Sequence, residues 1–172
     1  MSPPPFDLAL ASVDYAFPWD RLMLNLKFHG ALDLVSTLAA RLREAVARAG
    51  GPPPDLLLPV PLSADRLRER GFNQAWELAR RLGPEADPSL LLRVKNTAHQ
   101  LALPEAKRAA NVRGAFSLDP RRPAVVAGRH VAIVDDVMTT GATAREITTV
   151  LRAAGAASVR VWVVARTPRP SG

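Results

Sequence analysis

The chain has 172 residues, a formal charge of +7 at neutral pH and no cysteine, which excludes disulfides and thiolate zinc sites. Its hydrophobic fraction of 48% is that of an ordinary globular protein, and no apolar run approaches the roughly 20 residues needed to cross a bilayer. The length suits one α/β domain, and the positive charge favours anionic partners such as phosphates or nucleic acid.

The start of the chain has no basic cluster followed by an apolar stretch, which predicts a cytoplasmic protein. Residues 1–5 are rich in proline, and residues 1–12 are expected to form a disordered tail. Val13, Tyr15 and Phe17 alternate with Asp14 and Ala16 as in a short half-buried strand, which Pro18 ends. From Asp20 to Ala49 the period becomes helical, with Leu22 and Leu26, then Leu34, Leu38, Leu42 and Val46. An interruption at His29 and Gly30 divides this stretch into two helices, so residues 13–50 are expected to hold a small hood and the first helices.

The core is expected over residues 51–168. Residues 56–60 form an unbroken apolar run of the kind that buried parallel strands show. Arginines then concentrate in two stretches that read as loops, 66–70 and 93–113. A helix is predicted over 73–82, with Asn73 as its cap and Trp76 and Leu82 on its packing face. Residues 90–94 and 115–118 read as strands, separated by a polar stretch too long for a simple turn. A strand at 131–134, a helix at 141–153 ended by Gly155 and a closing strand at 159–164 complete the pattern. The alternation predicts an α/β fold, a mainly parallel central sheet flanked by helices on both faces.

The most informative segment is Val131, Ala132, Ile133, Val134, Asp135, Asp136, Val137, Met138, Thr139, Thr140, Gly141, Ala142 and Thr143. It places two carboxylates at the carboxyl end of a buried strand, where open α/β sheets bind ligands. Thr139 to Thr143 then supply hydroxyls, backbone N–H groups and one residue without a side chain at a helix start. Unpaired N–H groups and the macrodipole make such a terminus an anion site, and Gly141 lets the backbone approach closely. A ribose 5-phosphate explains carboxylates beside a phosphate cradle, because its hydroxyls donate to them while its phosphate accepts from the loop. The segment has neither the Lys-Ser/Thr ending of a P-loop nor the three glycines of a dinucleotide fingerprint. A receiver domain, which also pairs aspartates after a strand, needs a later Asp and Lys, and none follows Asp136.

This string resembles the phosphoribosyl pyrophosphate (PRPP) signature of type I phosphoribosyltransferases. Two further stretches are similar to the ComF/GntX branch linked to natural competence. Leu58, Pro59, Val60, Pro61, Leu62 and Ser63, followed by Arg66 to Gln74, resemble its pyrophosphate-loop region and its Arg-Gly-Phe-Asn-Gln element. Thr97, Gln100, Arg108, Asn111, Val112, Gly114, Ala115 and Phe116 resemble its mobile-loop segment, and Lys27, Phe28 and Gly30 extend the similarity over residues 15–166. Members of the branch commonly begin with a four-cysteine zinc ribbon, for which these residues have no cysteine.

The resemblance implies Mg²⁺-dependent transfer of ribose 5-phosphate from PRPP to a nitrogen nucleophile, the acceptor being unspecified. Asp135 and Asp136 would hold the ribose, and Val137 to Thr143 the 5-phosphate. Pro61, Leu62 and Ser63 would face pyrophosphate, with Arg66 and Arg70 supplying charge and Lys95 acting from the start of the long polar segment. Lys107 and Arg108 lie further along that segment. Mg²⁺ would rest on substrate and water, with no metal site built by the protein, and His29, His99 and His130 share no ligand spacing. The alternative is a non-catalytic PRPP sensor or a single-stranded-DNA-handling component of natural transformation, working with competence-machinery proteins. Direct nucleic-acid binding is expected to be weak and salt-sensitive, because aromatics make up only 5% of the chain.

Overall fold

The computed structural model describes residues 4–29, 33–95, 110–122 and 124–167. Four parallel strands form the central sheet: β1 (Leu8–Asp14), β2 (Leu56–Pro59), β5 (His130–Met138) and β6 (Ser158–Arg166), in the order β1-β6-β5-β2. A separate antiparallel ribbon pairs β3 (Leu91–Arg93) with β4 (Phe116–Leu118), so that Arg93 opposes Phe116. The helices are α1 (Trp19–His29), α2 (Asp33–Ala49), α3 (Ala64–Arg70), α4 (Gln74–Leu82) and α5 (Ala142–Ala153).

Strand alternation divides the core into two layers. On one face Val131 and Ile133 of β5 pack with Ile147 and Leu151 of α5 and with Leu91 and Phe116 of the ribbon. On the other face Ala132 and Val134 pack with Leu38 and Leu42 of α2, Leu78 of α4 and Met23 of α1. Both faces of the central strand are therefore dry, which accounts for its continuous apolar run. Among the described residues, no helix is long and apolar enough to cross a membrane.

Three expectations need correction. The tail expected over 1–12 contains most of β1, which pairs in parallel with β6 from Leu8↔Arg160 onward. Its register is set far along the chain: the Asp7 carboxylate accepts from Val159 N–H at 2.7 Å and from Arg152 at 2.7 Å. A domain division at residue 13 thus falls inside a strand of the main sheet. Residues 66–70, expected as a loop, belong to α3, which Ser63 caps by accepting from Arg66 N–H. The end of α5 is as expected: the helix runs to Ala153, and Gly155, φ 86°, closes it as Ala156 N–H donates to Leu151 O at 3.0 Å. The third correction bears on chemistry. β5 does not end at Val134 but runs on to Met138, so Asp135 and Asp136 lie within the strand.

Candidate functional site

The strand parity that sorts the core also separates the acid pair. Asp135 follows Ile133 on the α5 face and lines a depression at the carboxyl edge of the sheet. Val60, Ile133, Val161 and Val163 form its floor, and residues 137–144 form its rim. Asp136 points to the opposite face, where it is 4% exposed. There Gln74 Nε2 donates to its Oδ2 at 3.2 Å, and Val137 N–H donates to its Oδ1 at 2.7 Å. The backbone N–H of Asp136 in turn donates to Asp135 Oδ1 at 2.8 Å.

The start of α5 closes one side of the depression. Gly141 takes a left-handed conformation, φ 76°, and makes no side-chain cap to the helix. The Thr140 hydroxyl accepts only a long bond, 3.4 Å, from Ala142 N–H. No acidic side chain occupies the first turn. The terminus therefore presents N–H groups and positive macrodipole to the depression, with Thr139, Thr140, Gly141, Ala142 and Thr143 around it.

The turn after β2 forms the neighbouring wall. Val60 N–H donates to Val134 O at 2.9 Å, which carries the chain past the sheet edge. Asn73 Nδ2 donates to Val60 O at 3.1 Å, while Asn73 Oδ1 accepts from Ala75 and Trp76 N–H as the cap of α4. One side chain thus ties the start of α4 to this turn. Pro61 and Leu62 are half-buried and Ser63 is buried as the cap of α3. The helical period then separates the arginines: Arg66 and Arg70 share the half-buried face, while Arg68 points outward and pairs with Asp65. Burial and the nearby Arg70 hold the Arg66 guanidinium below the usual arginine range, partly offset by Glu69.

Arg93 is the residue that sequence reasoning missed as part of this group. Its guanidinium lies 5.4 Å from the centre of the Phe116 ring, its partner across the ribbon. Burial and then the charge of Arg66 depress its pKa, and Asp135 acts in the opposite direction. Two half-buried cations that repel each other beside one carboxylate make a site that a multivalent anion would relieve. The available signal was a lone arginine in an apolar strand, Leu91, Leu92, Arg93.

Lys95 stands apart from the depression. It is exposed, and its Nζ donates to Arg113 O at 3.3 Å, lying over Gly114 so closely that a Cβ there would come within 3.0 Å. Gln100, Lys107 and Arg108 fall outside the described residues, as does Gly30, and the side chains of Lys27 and Phe28 are likewise undescribed. Among the described residues, no three His, Cys, Asp or Glu side chains gather into a metal cage. The depression offers one carboxylate, Asp135, a donor set that suits Mg²⁺ carried largely by a substrate and water.

The phosphoribosyl transferase domain matches residues 55–171. The chain is 39% identical over 96% of its length to the DNA utilization protein YhgH of Salmonella typhi, and 36% identical over 95% to competence protein F of Haemophilus influenzae. It spans 74% of each of those relatives. The Bacillus subtilis competence protein ComFC is 29% identical over 68% of this chain and 46% of its own. Among solved structures, the B. subtilis glutamine PRPP amidotransferase complexed with ADP and GMP is 26% identical, with a TM-score of 0.49, over 77% of this chain and 26% of that one. The chain belongs to the type I phosphoribosyltransferase family, with competence protein F and YhgH among its relatives.

Proposed function

We propose that the depression binds PRPP with Mg²⁺ and that the protein transfers ribose 5-phosphate to a nitrogen nucleophile. The observation that carries this reading is the meeting of Asp135 and the start of α5 in one hollow. Asp135 accepts from a ribose hydroxyl, while the N–H groups of residues 139–143 hold the 5-phosphate and so fix the sugar at both ends. The turn at 61–63, with Arg66, Arg70 and Arg93, faces the pyrophosphate. In the reaction the bond from ribose C1 to pyrophosphate breaks and a bond from C1 to the acceptor nitrogen forms. The arginines stabilise the charge that grows on the departing oxygens. Mg²⁺, when bound, would add to that neutralisation, with Asp135 the carboxylate within reach and substrate oxygens the other ligands. Lys95 and Asp136 act from outside the hollow in this scheme.

A second reading is favoured by what the relatives are named for, DNA utilization and competence. In it the same site senses PRPP without turnover, as part of a cytoplasmic assembly that handles single-stranded DNA. Incubation with PRPP, Mg²⁺ and a panel of nitrogen bases, with pyrophosphate release as the readout, separates the two. Base-dependent release is expected from the enzyme. Tight PRPP binding without release by any base would favour the sensor, and no PRPP binding would remove both.

A further inference from the structure

Gln74 is 4% exposed, and its Oε1 has no hydrogen-bond partner. A buried acceptor left unpaired works against the fold. The amide nitrogen of the same side chain, however, begins a continuous set of bonds across the sheet. Gln74 Nε2 donates to Asp136 Oδ2, Val137 N–H donates to Asp136 Oδ1, and Asp136 N–H donates to Asp135 Oδ1. The last acceptor is the carboxylate that lines the depression.

We infer that Gln74 is a positioning residue for Asp135, acting through Asp136, and that the two acids have different tasks. This rests on the proposal that the depression takes PRPP. Asp135 meets the ribose. Asp136 anchors the backbone whose N–H aims Asp135, and the Gln74 amide holds Asp136 in place from the first residue of α4. The task needs a donor at position 74 facing an acceptor at 136. An amide supplies that donor without bringing a second charge into a buried place, where two carboxylates would repel.

The same logic predicts which contacts depend on Gln74. The ribose hydroxyls require an aimed Asp135. Pyrophosphate alone does not, because it rests on the turn at 61–63 and on the arginines. Removing the amide should therefore weaken PRPP and leave magnesium pyrophosphate nearly unchanged, a split that general loosening of the fold would not produce.

Calorimetry with both ligands and Mg²⁺ tests this on the full chain, with thermal melting used to confirm folding. Binding of PRPP to the unsubstituted chain is the control: its absence would defeat the PRPP reading itself, whatever the variants do. Gln74→Met and Gln74→Glu are each expected to weaken PRPP at least fivefold and pyrophosphate less than twofold. The exchanged pair, Gln74→Glu with Asp136→Asn, restores a donor facing an acceptor across the same gap and keeps an oxygen for Val137 N–H. It should recover most of the lost PRPP affinity, and it serves as the test if either single variant does not fold. Unchanged PRPP affinity in a folded single variant, an equal loss of both ligands, or no recovery in the exchanged pair would overturn the inference.

Discussion

Gly114 N–H donates to the carboxylate of Glu146 at 2.6 Å, joining the turn two residues before β4 to the second turn of α5. The helix whose start borders the depression is thereby tied to the end of the long polar segment. A ligand that steadies α5 would act on both. Glu146→Ala should speed amide exchange at residues 112–116 and lower stability by about 1 kcal/mol, the scale of one partly exposed charge-assisted bond. Mass-resolved exchange and thermal melting are the measurements. Protection that is unchanged at Gly114 would mean that the bond contributes nothing in solution.

Asn73 combines two tasks, the cap of α4 and the bond to Val60 O. Asn73→Ala should cost about 2 kcal/mol, near the upper end for a cap because a carbonyl also loses its donor. PRPP affinity should fall with it, since Val60 leads into the turn at 61–63. Asn73→Ser, which can cap but cannot span to Val60, should recover stability only in part. Melting curves and ligand titration of the two variants check both statements.

The mutual repulsion around Arg66 leads to a trade of stability against binding. Burial and the charge of Arg70 disfavour its guanidinium, and Arg66 in turn disfavours that of Arg93. Arg66→Met should raise the melting temperature without ligand and weaken magnesium pyrophosphate. Added salt should narrow the difference in melting temperature by screening the repulsion. A variant less stable than the parent would show that Arg66 is satisfied within the protein and does not await an anion.

Acid should weaken the fold partly through Glu77. Burial pushes its carboxyl up, but hydrogen bonds and charge from Arg81, at 2.8 Å, and Arg80, at 2.6 Å, outweigh burial and hold it below the usual range. A carboxyl depressed in the folded state contributes stability above its unfolded pKa, about 4.3, and loses it as pH falls through the lower folded value. Glu77→Gln should therefore cost about 1 kcal/mol at neutral pH, the scale of an ion-pair contribution. The gap should narrow as pH falls below about 4.3. Denaturant melts at two pH values measure it, and a gap independent of pH would exclude the ion pair as its cause.

The fold was legible wherever a local pattern carried it. The apolar runs at 56–60 and 131–134, the helical period of α2 and the cap at Asn73 depend on near neighbours in the chain, and the structure keeps all of them. β1 was not legible, because Asp7 and its partners Arg152 and Val159 fix it from the other end of the chain. α3 was hidden by its charges, since a short helix with no buried residue shows no apolar face. At the candidate site the loop at 139–143 could be placed at a helix start from its residue types. The separation of Asp135 from Asp136 required knowing that β5 continues past Val134, because alternation operates only inside a strand. Arg93 could not be assigned because its neighbours Arg66 and Asp135 are distant in sequence.

The most direct test is a calorimetric titration of the chain with PRPP in Mg²⁺, repeated with Asp135→Asn. The unsubstituted chain should bind, and Asp135→Asn should bind at least tenfold more weakly, because hydrogen bonds to charged groups contribute roughly 1.5–3 kcal/mol. Its affinity for inorganic phosphate, held at the start of α5, should stay the same. Equal PRPP affinity in the folded Asp135→Asn variant, or no binding by the unsubstituted chain, would contradict the assignment of the depression as the PRPP site.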